Sequence, residues 1–309
     1  MEKDITTNNL IDNDDVFADI ANVNIFDGVR LIAPEDLESV PTGSSYRDLD
    51  GKHHRLFRDT LKRVQNLGGC VAFLGCESQT KINNIMPVRD MGYTYTSYMK
   101  QIHNMMAENN KNGNCAYAKV LHDDQRLMPV ATFVLYFGKD KWKRPLSLMD
   151  ILDIPEEGKE FWESLIVDYR LNIIHMADQP KEIREKYRSD YRIIADYLAY
   201  HKNKAELETY LRKDSQRIIH VEQLLDMLYA LSGDERFEVI KSRYLESNDK
   251  EECDTMCLLL DMCEEEGIQK GVSLAKQILQ LNAKGKTAEE IADQLDVEMT
   301  MVEDILDFN

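Results

Sequence analysis

Glu77 and Gln79 have the types and spacing to do chemistry together. They close the apolar run CVAFLGC (residues 70–76), whose unbroken hydrophobicity suits a buried central strand. Side chains two apart on a strand share a face, so both would project from the strand's exit. NLGG ahead of the run is turn chemistry. If TLKRV pairs with the run as a hairpin around that turn, Asp59 falls opposite Gly75 to Glu77. Two carboxylates beside an amide oxygen form a hard, all-oxygen site suited to Mg²⁺ or Mn²⁺. Such a cation polarises a phosphate, activates water and stabilises a departing oxygen. It also relieves the repulsion between close carboxylates, which otherwise raises one pKa. The plainer reading is that polar residues at a strand end, followed by Thr80, cap the strand or enter a turn.

Those residues need a sheet to hold them, and the flanking pattern supplies one. Residues 129–138 (PVATFVLYFG) are a second β-prone run. Between the runs, 89–109 place Met91, Tyr95, Tyr98, Ile102 and Met105 on one helical face. Strand, helix and strand make a βαβ-like α/β unit. TLKRV itself fits either a strand or a helix. Ahead of it, residues 14–28 carry Val16, Phe17, Ile20, Val23 and Phe26 at helical spacing, closed by Gly28. LIAPEDLESVPTGSS reads as a strand or loop connection. From about 147 onward the pattern is almost wholly helical, with segments near 157–175, 181–211, 216–231, 234–246 and 250–266. The segment 268–309 reads as further short helices. The expected organisation is an α/β unit over 1–150, a helical region over 151–266 and a helical tail over 267–309.

Other residues weigh chemistry against packing. Arg89, after Met-Pro, has the reach for a phosphate or for one of the nearby acids. His53-His54 with Cys70 or Cys76 fit no common zinc spacing. Cys253, Cys257 and Cys263 suit one helix as small apolar packers. The tyrosines of YTYTSY (93–98) offer stacking faces for bases, or a half-buried helix surface. The tail's TAEEIADQLDVEMTMVEDIL has helix-turn-helix form, but EMTMVEDIL carries no Lys or Arg to meet phosphates. A packing or oligomerisation element is the better reading. P-loop, GxGxxG and GxSxG motifs are absent from the sequence.

Asp and Glu number 56 against 38 Lys and Arg, a formal charge of −18. So acidic a chain has no global attraction for nucleic acid, and DNA contact would need a local basic strip or bridging cations. Six cysteines without a CxxC pair, and a polar acidic opening MEKDITTNNLIDNDD, lead us to expect a reduced cytoplasmic protein with no membrane partner.

One stretch also resembles a known family. RLFRDTLKRV…CVAFLGCESQTKINNIMPVRDMGYTYTSYMKQI is similar to the core of recombination-promoting nucleases and their transposase relatives, a branch of the PD-(D/E)XK nuclease superfamily. The likeness rests on Arg58-Asp59, on Gly75-Cys76-Glu77-Ser78-Gln79-Thr80, on Met86-Pro87-Val88-Arg89 and on Gly92-Tyr93 with Tyr98. DVFADIANVNIFDG with PED, and PVATFVLYFGKDKWKRPLSL, extend it over residues 14–150. The resemblance implies a restriction-endonuclease-like fold, a mixed central sheet flanked by helices. It also implies a metal-dependent DNA endonuclease using Mg²⁺ or Mn²⁺. Asp59 and Glu77 would be the metal-binding acids, and Gln79 would stand where the superfamily has a water-orienting Lys. A neutral Gln hydrogen-bonds water but brings no charge. A first-helix acid often completes such sites; Asp19 is the candidate, with Asp14 and Asp15 as rivals. Asp48 and Asp50 compete with Asp59, because DLDGKHH finds no firm match. The competing expectation is a cleavage-deficient relative that binds DNA or protein, with homo-oligomerisation through its helical half.

Overall fold

A computed structural model of the chain describes residues 8–47, 53–67, 70–111, 121–200, 204–213, 215–246 and 254–307. These form two compact units. The first takes in the described residues through Thr209 together with Ile218–Asp234. The second comprises Tyr210–Arg217 with Glu235 onward.

The first unit is α/β. Helix α1 (Asp14–Asn24) buries Val16, Phe17, Ile20, Ala21 and Val23, the face its apolar spacing predicts. Asp14 and Asp15 lie in its first turn, where a helix dipole favours negative charge. A short 3₁₀ turn, Pro34–Asp36, leads into β1 (Leu37–Ser39). A separate two-stranded hairpin follows, β2 (Gly43–Arg47) and β3 (His53–Phe57). Then come β4 (Thr60–Leu67), β5 (Cys70–Gln79), α2 (Met86–Lys111) and β6 (Val130–Tyr136). TLKRV is therefore a strand: Thr60 through Val64 pair residue by residue with Cys76 through Ala72 of β5.

After helix α3 (Lys159–Leu165), strand β7 (Asn172–His175) completes the sheet, whose order is β1-β4-β5-β6-β7. The first two pairings are antiparallel, the last two parallel. β7 departs from the sequence reading, in which the pattern beyond about residue 147 is almost wholly helical and 157–175 is a helical segment. NIIH is four residues long and takes its strand form by pairing with β6, Phe133 to Asn172 through Tyr136 to His175. So short a segment carries little periodicity of its own.

Each face of the sheet is covered. On one, Phe17 of α1 meets Phe133 of β6 with ring centroids 5.7 Å apart. On the other, Met86 and Tyr93 of α2 pack with Val134, Tyr136 and Trp142. Burial of a large apolar side chain contributes about 1.5–3 kcal/mol, so these two layers anchor the unit. Trp142 is fixed further by its indole N–H, which donates to Pro145 O at 2.8 Å. Gly138 leaves the space that the Tyr136 phenol fills; a Cβ there would lie 2.1 Å from its oxygen.

The remaining helices of this unit are α4 (Lys181–Arg184), α5 (Tyr191–Tyr200), the start of α6 (Lys204–Lys213) and α7 (Val221–Ser232). The second unit is helical: α8 (Arg236–Glu246), α9 (Met256–Ala283), α10 (Ala288–Leu295) and α11 (Met299–Asp307). α9 runs unbroken across residues 266–267, where the sequence reading divided helical region from tail. Ile278 of α9, Ile291 and Ala292 of α10 and Val302 of α11 share one core. A Thr287–Glu290 capping box starts α10. The tail thus packs on its own long helix. Among the described residues, no helix is long and apolar enough to cross a membrane.

Candidate active site

The hairpin register puts Asp59 beside Glu77. Thr60 pairs with Cys76 and Leu61 with Gly75 along β4 and β5, so the residue before Thr60 faces the residue after Cys76. The two acids are laced together reciprocally. The Asp59 backbone N–H donates to Glu77 Oε1 at 3.2 Å, and the Ser78 N–H donates to Asp59 Oδ2 at 2.8 Å. Neither carboxylate can swing away without leaving a backbone donor unanswered.

Glu77 lies on the central strand with no exposed surface. Its register partner on β6 is Val134, so it points to the face covered by α2. From that helix Arg89 approaches: Nη2 lies 3.4 Å from Glu77 Oε2 and donates to the Tyr93 hydroxyl at 2.7 Å. Arg89 and Tyr93 are four residues apart, one helical turn, which lets the phenol steer the guanidinium. Of the two readings open for Arg89, pairing with an acid is realised. Arg58, 3% exposed, stands on the same face; its side chain crosses Gly75, where a Cβ would lie 2.5 Å from Arg58 Cδ.

Electrostatics single out Glu77. Burial pushes its carboxyl up to about 8, and the neighbouring Asp59 charge pushes the same way. Arg89, the Asp59 N–H and Arg58 pull it down without cancelling the rise. Tyr93 is pushed up to about 12, first by burial and then by Glu77. Asp59 opens on a polar cleft of about 370 Å³ lined also by Ser78, Gln79, Lys81, Asn83 and Arg89, with Glu77 buried behind it. Gln79, two residues beyond Glu77 on β5, borders this cleft as the strand alternation predicts. Lys81 and Arg89 are the cations at its edge.

The structure does not bring Asp19 to this pair. Asp19 is 4% exposed on α1, and its oxygens are taken elsewhere. Arg30 bonds Oδ1, and Oδ2 accepts from the Arg188 N–H at 2.7 Å, the Ser189 N–H at 2.7 Å and the Ser189 hydroxyl at 2.8 Å. Its work is to tie α1 to the segment before α5. The rivals are engaged as well: Asp14 pairs with Lys62 at 2.9 Å, and Asp15 with His220 Nε2 at 2.9 Å. Among the described residues no three His, Cys, Asp or Glu side chains gather closely enough to hold one ion. The donors in place are therefore two carboxylates and the amide of Gln79. They are hard oxygen donors, of the type Mg²⁺ takes from one or two carboxylates with water and substrate oxygens filling its shell, once Glu77 has lost the proton its raised pKa retains.

Asp48, Asp50 and Cys253 lie outside the described residues, as do the side chains of His53, His54 and Cys263. Cys76 is buried on β5, while Cys70 is exposed and its thiol meets Leu67 O. Of the tyrosines, Tyr93 is buried, Tyr95 is 62% exposed, and the Tyr98 hydroxyl accepts from the Val130 N–H at 3.4 Å. Sequence reasoning passed over Arg58 and Tyr93 as neighbours of the acids. The register alone does not mark Arg58: extended past Thr60 it puts Arg58 opposite Ser78, and the side chain reaches across Gly75, where no Cβ stands in its way.

No family model matches the chain, and no curated protein or solved structure matches it either.

Proposed function

We propose that this protein is a metal-dependent DNA endonuclease of the PD-(D/E)XK type, in the branch of the recombination-promoting nucleases and their transposase relatives. The observation that carries the reading is the carboxylate pair: Asp59 is hydrogen-bonded against a buried Glu77 that keeps its proton to about pH 8. Holding a buried acid against a second carboxylate is unfavourable unless something compensates the charge, and acids so perturbed beside a cleft are candidates for functional sites. The mixed sheet flanked by helices, with the acids at neighbouring strand ends, is compatible with this fold family.

In this reading Asp59 and Glu77 hold the ion, and the backbone donors of Ser78 and Asp59 fix the orientation of their oxygens. When bound, a divalent cation lowers the pKa of a water and polarises a phosphate. Gln79 positions the attacking water by hydrogen bonding, without adding charge. Lys81 and Arg89 draw the phosphodiester to the cleft, a local cationic edge on an acidic chain. Glu77 must shed its proton before it can serve as a ligand, so activity rises with pH toward the alkaline side of neutrality.

A second reading is favoured by two observations: two acids, not three, are gathered among the described residues, and Gln79 is neutral. It is a cleavage-deficient relative that retains a nucleic-acid or protein surface.

Plasmid nicking with Mg²⁺ or Mn²⁺ decides between them. Wild type is expected to nick, with Asp59→Ala and Glu77→Ala both falling to the no-protein level. Equal activity in all three, or none in the wild type, removes the cleavage reading.

A further inference from the structure

Helix α2 turns a polar-rich face to the sheet and an apolar row to solvent. Met86, Asp90, Tyr93 and Gln101 lie on the buried side. Specific bonds hold that orientation: Gln101 donates to Met128 O at 3.2 Å and accepts from the Met128 N–H at 2.8 Å. Helical geometry then places Val88, Gly92, Tyr95, Met99, Ile102 and Met106 on the opposite side. Val88 is 47% exposed and Tyr95 62%, and the other four are half-buried. Met91 beside the row and Ile85 in the turn before the helix are exposed as well. Much of the apolar face that the spacing of α2 predicts therefore has no cover in one chain.

The row has the form of a helix-pairing seam. Its residues are alternately four and three apart, the a and d positions of two packed helices. Arg89, Thr96 and His103 flank it on one side, and Met91, Tyr98 and Met105 on the other. None of these positions is acidic, although Asp and Glu make up 56 of the 309 residues. A chain of charge −18 repels its own copy over most of its surface, and this strip is exempt.

Side-chain size selects the occupant and its direction. Opposed to its own reversal about a point between Tyr93 and Thr94, the row sets Gly92 against Tyr95, Val88 against Met99 and Ile85 against Ile102 of the other copy. Each layer joins a smaller residue to a larger one or two of equal size, so the layers fill evenly. Parallel pairing would stack Gly92 on Gly92 beside Tyr95 on Tyr95, a void next to a clash. Glycine inside a helix weakens it, and here it leaves room for the other copy's phenol. A surface complementary to its own reversal is what a two-fold interface requires.

We propose that the protein forms a two-fold dimer by antiparallel pairing of α2 with α2 of a second copy. The sequence reading put homo-oligomerisation in the helical half; this interface lies on the α/β unit, and it does not rest on the cleavage reading.

Sedimentation equilibrium of the full chain should show a dimer that dissociates at about micromolar concentration. Tyr95→Glu, at an exposed position, should keep the wild-type circular dichroism and weaken the dimer about thirtyfold or more. Ile268→Glu, exposed on α9, should leave it unchanged. Direction is read by mixing Val88→Cys with Met99→Cys under mild oxidation. The mixture should cross-link above the level that the native cysteines set in wild type, and neither variant alone should exceed that level. This readout stands even if Tyr95→Glu fails to fold. The proposal is overturned if wild type stays monomeric at about 100 µM, whether or not it cosediments with phosphatidylcholine vesicles. It is equally overturned if folded Tyr95→Glu dimerises like wild type, if Ile268→Glu abolishes the dimer, or if the mixture cross-links no more than each variant alone.

Discussion

Asp19 and Glu77 are both carboxylates sealed inside the first unit, and they are solvated in opposite ways. Asp19 is surrounded by donors: Arg30 on one oxygen, and two backbone N–H groups and a hydroxyl on the other. Glu77 receives one backbone N–H at 3.2 Å and an arginine contact at 3.4 Å, and it faces a second carboxylate. A buried charge fully answered by donors is part of the scaffold. One left under-answered beside a like charge is held there by the fold at a cost, which is the mark of a working site. The comparison makes opposite predictions for removing each acid.

The largest stability effect should come from Asp19→Ala. It strands the N–H groups of Arg188 and Ser189, and hydrogen bonds to a charged acceptor are worth about 1.5–3 kcal/mol each. A loss of about 3 kcal/mol is expected, read as a shift in the urea midpoint at unchanged m. A change under about 1 kcal/mol would mean that the four donors find water as readily as Asp19, and the contrast with Glu77 would fail.

Removing the charge of Glu77 should do the reverse, and pH exposes it. The ordinary glutamate value is 4.5, and burial with Asp59 pushes it up to about 8 in the folded chain. Between those values the folded state keeps a proton that the unfolded state has released. This contribution to stability therefore falls as pH rises from about 4.5 to about 8, by at most about 1.4 kcal/mol per pH unit, and levels off above. Glu77→Gln carries no such titration, so its melting temperature should decline less over the same window. Parallel curves for the two proteins would show that Glu77 ionises normally.

Mg²⁺ sharpens the same contrast. An ion that binds the folded chain stabilises it by about 2.7 kcal/mol at 100 times its Kd. At pH 8, where Glu77 is half-ionised, the wild type should gain melting temperature with Mg²⁺ and release about half a proton per ion bound. Asp19→Asn should respond like wild type, while Glu77→Gln should not respond. Equal gains in all three would place the ion elsewhere.

How far the sequence reaches can be judged from the same residues. The juxtaposition of Asp59 and Glu77 is readable only to within a residue: the pairing shifts between Val64 and Leu67, and that irregularity, unmarked in the sequence, brings Asp59 opposite Glu77 instead of Ser78. The apolar spacings that mark α1, α2 and β6 are local. Asp19 is different. A carboxylate on a helix start looks the same whether it meets a metal or the backbone of residues 188 and 189, some 170 positions away. β7 fails for a related reason, since NIIH becomes a strand only by pairing with β6. The continuity of the Met256–Ala283 helix across residues 266–267 also escapes segment-by-segment reading. Local patterns survive translation into structure; partners brought from far along the chain do not.

The smallest effect tests the family likeness at its weakest point. Gln79 shares the β5 face of Glu77 and borders the cleft with Asp59, so a lysine there would bring its ammonium toward both carboxylates. Gln79 is half-buried at the strand end, and Gln79→Lys should alter stability at neutral pH by less than about 1 kcal/mol. Its mark should lie in titration. A cation near Glu77 favours the ionised form, so the fall in stability with pH should end about one pH unit lower than in wild type. The same charge assists loss of a proton from a nearby water, so nicking should begin at lower pH as well. If Gln79→Lys moves neither the stability profile nor the nicking profile, position 79 does not face the acids electrostatically. The Glu-x-Gln of this chain would then be a strand ending whose second residue plays no part in the chemistry.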